Sequence, residues 1–370
     1  MAIFLDHNST TPCLPEVWDA MRPWAVESWA NPASAHSPGR AARRALETAR
    51  EEIASFVGAW ADEVVFTSGA TEANALALAG LKPGDLVASS HLEHPSIREN
   101  LLALATKGIL VHWLPKAERG IISPADWADL CPKVPNLQVV TMAGHETGAI
   151  QDLATLRQAT ASRHGEPGHW HLDATQAHRL EASTLSFSAH KFFGPKGVGA
   201  LLARRGTTLT PLLHGGGQQQ SRRSGTEPVA LAVGMAFALR LAVTDMATRH
   251  EKCLALRDRF KTTLESAGPW DILGPETGGL SHVLLIAFPG VRADMALMAL
   301  DLEGVACSAG AACSSGSMLP SPALELLGVP KEHRRSVIRF SMGPFLTGDE
   351  VTRAGEMVAK VIRRLRGAGA

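Results

Sequence analysis

The strongest constraint on the fold is an alternation of short apolar runs with segments at helical spacing. The runs lie at 64–66, 86–90, 109–114, 137–143 and 169–173, and helix-like stretches separate most of them. This pattern is that of a largely parallel sheet with helices on both faces, whose site lies at the carboxyl ends of the strands. Polar clusters follow those ends: His91 to His94, Gly144-His145-Glu146-Thr147-Gly148, and Asp173-Ala174-Thr175-Gln176. Taken singly, each His or Asp reads as a cap or a satisfied core residue. Three such clusters at one sheet edge favour a site. His169, His171 and Asp173 share a strand face, but a metal there needs an aqueous opening where a buried strand is expected, so no metal centre is predicted.

With 370 residues the chain is long enough for a large domain and a smaller one. The large, mainly parallel α/β domain is assigned to 16–250. A smaller α+β domain is assigned to 251–370 together with 1–15, because the pattern changes to shorter strands and helices after Gly268-Pro269. A long helical region is expected from Val229 to about Ala267, and an amphipathic helix from Gly39 to Val57. Lys plus Arg and Asp plus Glu number 36 each, so no overall basic field draws in nucleic acid or anionic lipid. No segment approaches the roughly 20 apolar residues of a membrane span. The start, MAIFLDHNSTTP, lacks the basic-then-apolar pattern of a secretion signal, and a cytoplasmic protein is expected. Five scattered cysteines without a CxxC pair speak against a disulfide framework or a zinc site. With no tyrosine in the chain, acid–base and stacking roles fall to histidine, lysine and cysteine.

Four stretches carry chemistry. Thr67 to Glu72 joins a strand to a helix start, where unpaired N–H groups make Ala70-Thr71 a candidate phosphate site; simple capping by Ser or Thr is the competing reading. Thr184 to Ala203 reads as a strand, a polar turn and a second strand, with Lys191 at the crossing. An amine held beside buried surface loses charge and can condense with an aldehyde, although a lysine in a tight turn has the same local sequence. The run 214–226, with Arg222-Arg223 in it, is either a linker or a flexible loop that reaches a neighbouring site. Finally, 306–317 contains no charge and only small residues, so Cys313 is expected on an unanchored, exposed loop as a candidate nucleophile. Cys307, at the end of an apolar run, has the weaker case.

Together these segments resemble the cysteine desulfurases of the nitrogen-fixation and iron–sulfur-cluster type. The resemblance is carried by LDHNSTTP at 5–12, NPASAH at 31–36, FTSGATEAN at 66–74, EHPSI at 93–97, HLDATQA at 171–177, SFSAHKFFGPKGVGALL at 186–202, GGGQQQSRRSGT at 215–226, SAGAACSSGS at 308–317 and VIRFSMG at 337–343. It implies the fold of the fold-type I pyridoxal 5'-phosphate enzymes, a homodimer, and L-cysteine as substrate. Lys191 would carry the cofactor and Asp173 would face its ring nitrogen. His94 would stack on the ring and exchange protons, and Gln176 would bond the ring oxygen. Ala70, Thr71, Ser188 and His190 would hold the phosphate, joined by Thr226 of the partner subunit. Arg339 would bind the substrate carboxylate, and Cys313 would take the sulfur as a persulfide for an acceptor or cluster-scaffold protein.

Three departures from the family pattern are visible. His145 follows Gly144 where two asparagines are usual, so His145 is expected to donate to the ring oxygen and to alter the cofactor spectrum. Pro344 replaces a usual arginine. The chain stops soon after its last helix, short of the family's scaffold-docking tail. The alternatives are a selenocysteine lyase or related aminotransferase, for which a thiol loop has less use, and a silent cofactor-binding or sulfur-carrier protein.

Overall fold

Apolar runs that carry no polar face must be covered on both sides, and the chain does this with a central sheet between helical layers. The computed structural model describes residues 2–174, 182–309 and 320–368. In chain order the first elements are β1 (Ile3–Phe4), α1 (Pro15–Arg22), α2 (Ser37–Val57), β2 (Val64–Thr67) and α3 (Ala70–Leu78). Then come β3 (Leu86–Ser89), α4 (Pro95–Ala105), β4 (Leu110–Trp113), α5 (Pro124–Ala128), β5 (Leu137–Thr141) and α6 (Leu153–His164). The sheet is completed by β6 (Trp170–Asp173), β7 (Thr184–Ser188) and β8 (Gly199–Ala203).

These strands are ordered β2-β8-β7-β6-β5-β3-β4. Neighbours from β7 to β4 run parallel, and β8 runs antiparallel to both β7 and β2. The reversal follows from chain length: the link from Ser188 to Gly199 is too short for a parallel crossover. Every residue of β2, β3, β5, β6, β7 and β8 is buried, whereas the edge strand β4 is partly exposed.

The remaining elements are α7 (Val229–Thr244), α8 (Met246–Leu264), β9 (Asp271–Ile272), β10 (Val283–Ala287) and α9 (Ala293–Leu302). They are followed by β11 (Val305–Ala306), α10 (Ala323–Leu326), β12 (Val337–Ser341) and α11 (Gly348–Ala368). The expected single long helical region is in fact two helices bent by 70°. The cause is a change of partner. Ala232, Met235 and Leu239 of α7 join the core around Phe66 and Trp170, whereas Leu256, Phe260 and Leu264 of α8 join a second core with Phe288 and Phe340. Ile3 and Leu5 also lie in that second core, and β1 pairs with β11. No single helix among the described residues is long and apolar enough to cross a membrane.

One close approach positions the site. A Cβ on Gly199 of β8 would come within 2.6 Å of Gly69 Cα and 2.7 Å of the Phe187 carbonyl oxygen, so glycine is required for the strand to pass beneath the start of α3. Because those neighbours are backbone and cannot step aside, Gly199→Ala should cost about 1–3 kcal/mol, as overpacking does. Denaturant unfolding measures this; an unchanged midpoint would contradict the close packing.

Candidate active site

The carboxyl ends of β5, β6 and β7 and the starts of α3 and α4 surround a cavity of about 720 Å³. Lys191 enters it from the turn Ala189–Lys191 that follows β7. Its half-buried amine donates to the carbonyl oxygens of Asn8 at 2.6 Å and Ser9 at 3.0 Å. The same N-terminal segment fastens the turn: the Thr11 N–H and hydroxyl both donate to the His190 carbonyl at 2.9 Å. The Thr11 oxygen in turn accepts from the Phe193 N–H at 2.8 Å. Phe193 itself adopts a left-handed φ of 68°.

One end of the cavity suits an anion. Gly69 caps α3 without any side-chain hydrogen bond, so the Ser/Thr capping alternative is not what the structure shows. The Ser68 N–H is engaged by Glu72 Oε2 at 2.7 Å, and Glu72 is held in turn by Arg223. The N–H groups at Ala70 and Thr71 remain at the positive end of the helix dipole, facing a cavity also lined by Ser188, His190 and Lys196. Lys196 gave no signal in the sequence, because its role depends on the turn that brings it back. His190 is pushed down to about 4, first by burial and then by Lys191 and Lys196, and is therefore neutral.

The other end suits a flat ring with a basic nitrogen. Asp173 closes β6 and is buried, accepting from Asn74 Nδ2 at 3.2 Å. His94 is the cap of α4, and its Nδ1 accepts from the Ser96 N–H at 3.1 Å. Burial, with His145 and Lys191 close by, pushes His94 down to about 3. His94 is therefore a neutral ring. His145 meets it edge-on, with centroids 5.1 Å apart. The His145 Nδ1 is buried without a hydrogen-bond partner among the described residues, while Nε2 lies 3.5 Å from Glu146 Oε1.

Two expected site residues stand outside the cavity lining. Arg339 is buried, with its guanidinium donating to Asp6 Oδ1 at 2.9 Å, Ser9 Oγ at 2.6 Å, Ser308 Oγ at 3.0 Å and the His145 carbonyl at 2.7 Å. It touches Ser9 and His145, which do line the cavity. Thr226 is exposed and does not line the cavity of its own chain. Gln176 and Cys313 lie outside the described residues. His171, read earlier as a disfavoured metal ligand, is buried between Thr184 Oγ1 at 2.9 Å and Asn74 Oδ1 at 3.0 Å. No metal-binding group of three His, Cys, Asp or Glu occurs among the described residues.

The 214–226 run is not a slack linker. Gln219, Gln220 and Ser221 all take left-handed φ values, 50°, 59° and 63°, which cost non-glycine residues of order 1 kcal/mol or more each. The Gln219 side chain offsets this strain. Its Oε1 accepts from the Phe66 N–H at 2.7 Å and its Nε2 donates to the Phe66 carbonyl at 2.8 Å, so one amide completes the open edge of β2. Arg50 Nη1 donates to the same Oε1 at 3.3 Å.

A family model described as Aminotransferase class-V matches residues 3–354. The chain belongs to the class-V aminotransferases. Its curated relatives include the Cysteine desulfurase IscS of Dictyoglomus turgidum, 36% identical over 98% of this chain and 95% of that one. The Cysteine desulfurase IscS of Methanosarcina thermophila is 32% identical over 99% and 93%. Among solved structures, a NifS-like protein superposes with a TM-score of 0.89 at 29% identity, covering 98% of this chain and 99% of that one. A structure titled "SspA in complex with cysteine" gives a TM-score of 0.79 at 29% identity over 93% and 99%. The fold is therefore that of the fold-type I pyridoxal-phosphate enzymes, and the cofactor of this class-V aminotransferase is pyridoxal 5'-phosphate.

The residues present fit that group. An uncapped helix start, a buried carboxylate and an amine all line one cavity, and the His145 Nδ1 is buried without a partner among the described residues. Sequence reasoning missed Glu93, which sits directly before His94. Its carboxyl is fully buried against the hydroxyls of Thr141 at 2.6 Å and Ser90 at 3.0 Å, and burial pushes it up to about 8. Between the ordinary value of 4.5 and about 8, the folded chain keeps a proton that the unfolded chain has lost. This group's contribution to stability therefore falls as pH rises through that window. Glu93→Gln should flatten that loss. Denaturant midpoints at several pH values measure it, and parallel curves for the two proteins would contradict the buried protonated acid.

Proposed function

We propose that this class-V aminotransferase is a cysteine desulfurase that converts L-cysteine to L-alanine and leaves the sulfur as a persulfide on Cys313. The observation that carries the reading is the convergence of Lys191, Asp173, His94 and the uncapped α3 start on one cavity, in a chain whose full-length relatives are cysteine desulfurases. Atoms balance: cysteine loses sulfur and its Cβ gains hydrogen, while the Cys313 thiol becomes S–SH. When bound, pyridoxal phosphate supplies an aldehyde for amines and a protonated ring that withdraws electrons from the substrate Cα.

The chain does the rest. Ala70, Thr71, Ser188 and His190 would hold the phosphate, joined by Thr226 of the partner subunit in a homodimer. Asp173 would keep the ring nitrogen protonated, and His94 would meet the ring as a neutral imidazole. His145 and Gln176 donate to the ring oxygen. The Lys191 amine, now held by the Asn8 and Ser9 carbonyls, would hold the cofactor and would take the proton from the substrate Cα. Arg339 binds the substrate carboxylate with a planar fork, in exchange for part of its contact with Asp6. The thiols of Cys13, Cys131, Cys253 and Cys307 are all raised by burial, the last to about 12, so none of the four is a ready thiolate. Cys313, in the segment that resembles the family's cysteine loop, is the sulfur acceptor in this reading. A second protein then receives the sulfur for iron–sulfur cluster assembly, in the cytoplasm. We assign the cofactor domain to 16–250 and the smaller domain to 1–15 with 251–370.

Purified protein given pyridoxal phosphate and L-cysteine should release L-alanine, measured by amino-acid analysis. Lys191→Ala should lose at least about a thousandfold of this rate, as expected when the residue that moves the proton is removed. Absence of alanine from the wild type would overturn the assignment.

A further inference from the structure

Helix α3 presents more to the cavity than its start. One turn beyond Ala70, roughly 6 Å along the axis, Asn74 is fully buried and uses every hydrogen-bonding position of its amide. Its Nδ2 donates to Asp173 Oδ2 at 3.2 Å and to Ser96 Oγ at 2.8 Å. Its Oδ1 accepts from His171 Nε2 at 3.0 Å and from the Ser186 hydroxyl. A carboxylate offers only acceptors, so the NH₂ side must face Asp173. Ser96 Oγ then receives one proton from Asn74 and directs its own to His94 Nδ1, 2.7 Å away. With Nδ1 accepting from both the Ser96 hydroxyl and the Ser96 N–H, the His94 proton sits on Nε2.

We propose that Asn74 is a positioning residue for the cofactor: one amide that fixes the Asp173 carboxylate and the Ser96–His94 cap relative to each other and to the anion-binding start of α3. The inference rests on the pyridoxal-phosphate reading of the cavity. Asn74 touches neither the phosphate end nor the reacting atoms, and its effect passes through Asp173 and Ser96. The titratable groups around it are Asp173 and His171 from β6 and His94 from the α4 cap. Glu93 stands near Asp173, and His145, Lys191 and Glu146 stand near His94.

The test compares pyridoxal-phosphate affinity of full-length wild type, Asn74→Asp and Asn74→Ala, each relative to wild type at the same pH between about pH 6 and pH 8. In Asn74→Asp two carboxyls face each other. At the acid end they share a proton whose O–H replaces the N–H donated to Asp173, while Ser96 Oγ loses the proton it received from Asn74 but keeps its own bond to His94; at the alkaline end both carboxyls ionise and repel. Affinity of this variant should match wild type within about twofold at the acid end and fall about tenfold at the alkaline end. Asn74→Ala should be weaker by about tenfold throughout. A variant-to-wild-type ratio for Asn74→Asp that does not move with pH would overturn the proposal, because a residue that only fills space has no such rescue. So would an Asn74→Ala protein that binds as wild type does, and this arm decides the matter if the Asp variant fails to fold. Wild type that retains no pyridoxal phosphate would instead overturn the reading of the cavity itself.

Discussion

The site depends on a strap. Residues 3–11 begin in the second core with Ile3 and Leu5 and end on the β7–β8 turn at Thr11, so they cross the space between the two cores. On the way Asp6 pairs with Arg339, Asn8 donates from its N–H to Ser341 Oγ and from its Nδ2 to the His145 carbonyl, and the Asn8 and Ser9 carbonyls hold the Lys191 amine. Each is a bond between residues far apart in sequence, formed only when both cores are in place. The geometry of Lys191 is thus a consequence of tertiary assembly rather than of its own turn.

Around that strap the protein keeps several buried imidazoles uncharged. His94, His171, His190 and His282 are all held well below the ordinary range, with burial the largest cause in each. Glu93 is held protonated by the same cause. Burial therefore leaves fewer charged groups around the cavity, in surroundings where charges interact more strongly than in water. A site that has to stabilise charge on a cofactor ring gains from such preorganisation.

Much of this was legible in the sequence. The alternation of apolar runs marked the parallel sheet, the Gly-Ala-Thr stretch marked the start of α3, and the strand–turn–strand around Lys191 marked the turn that brings its amine to the cavity. What escaped was tertiary. Asn74 and Glu93 look like ordinary polar residues until β6, α4 and β5 close around them. The Gln219 clamp depends on an open edge of β2 some 150 residues earlier, at Phe66. The 70° break between α7 and α8 follows from two cores competing for one apolar stretch, which periodicity within that stretch cannot reveal. The titration of His94 likewise depends on neighbours from three other segments.

The central claim is a proposed division of labour in which Lys191 handles the carbon skeleton and Cys313 takes the sulfur. Mass analysis of peptides from protein briefly incubated with pyridoxal phosphate and one equivalent of L-cysteine tests it most directly. The account predicts one added sulfur atom on the peptide containing Cys313, matched by one L-alanine released. Alanine formed with no sulfur on that peptide, or sulfur on Cys307 instead, would contradict it.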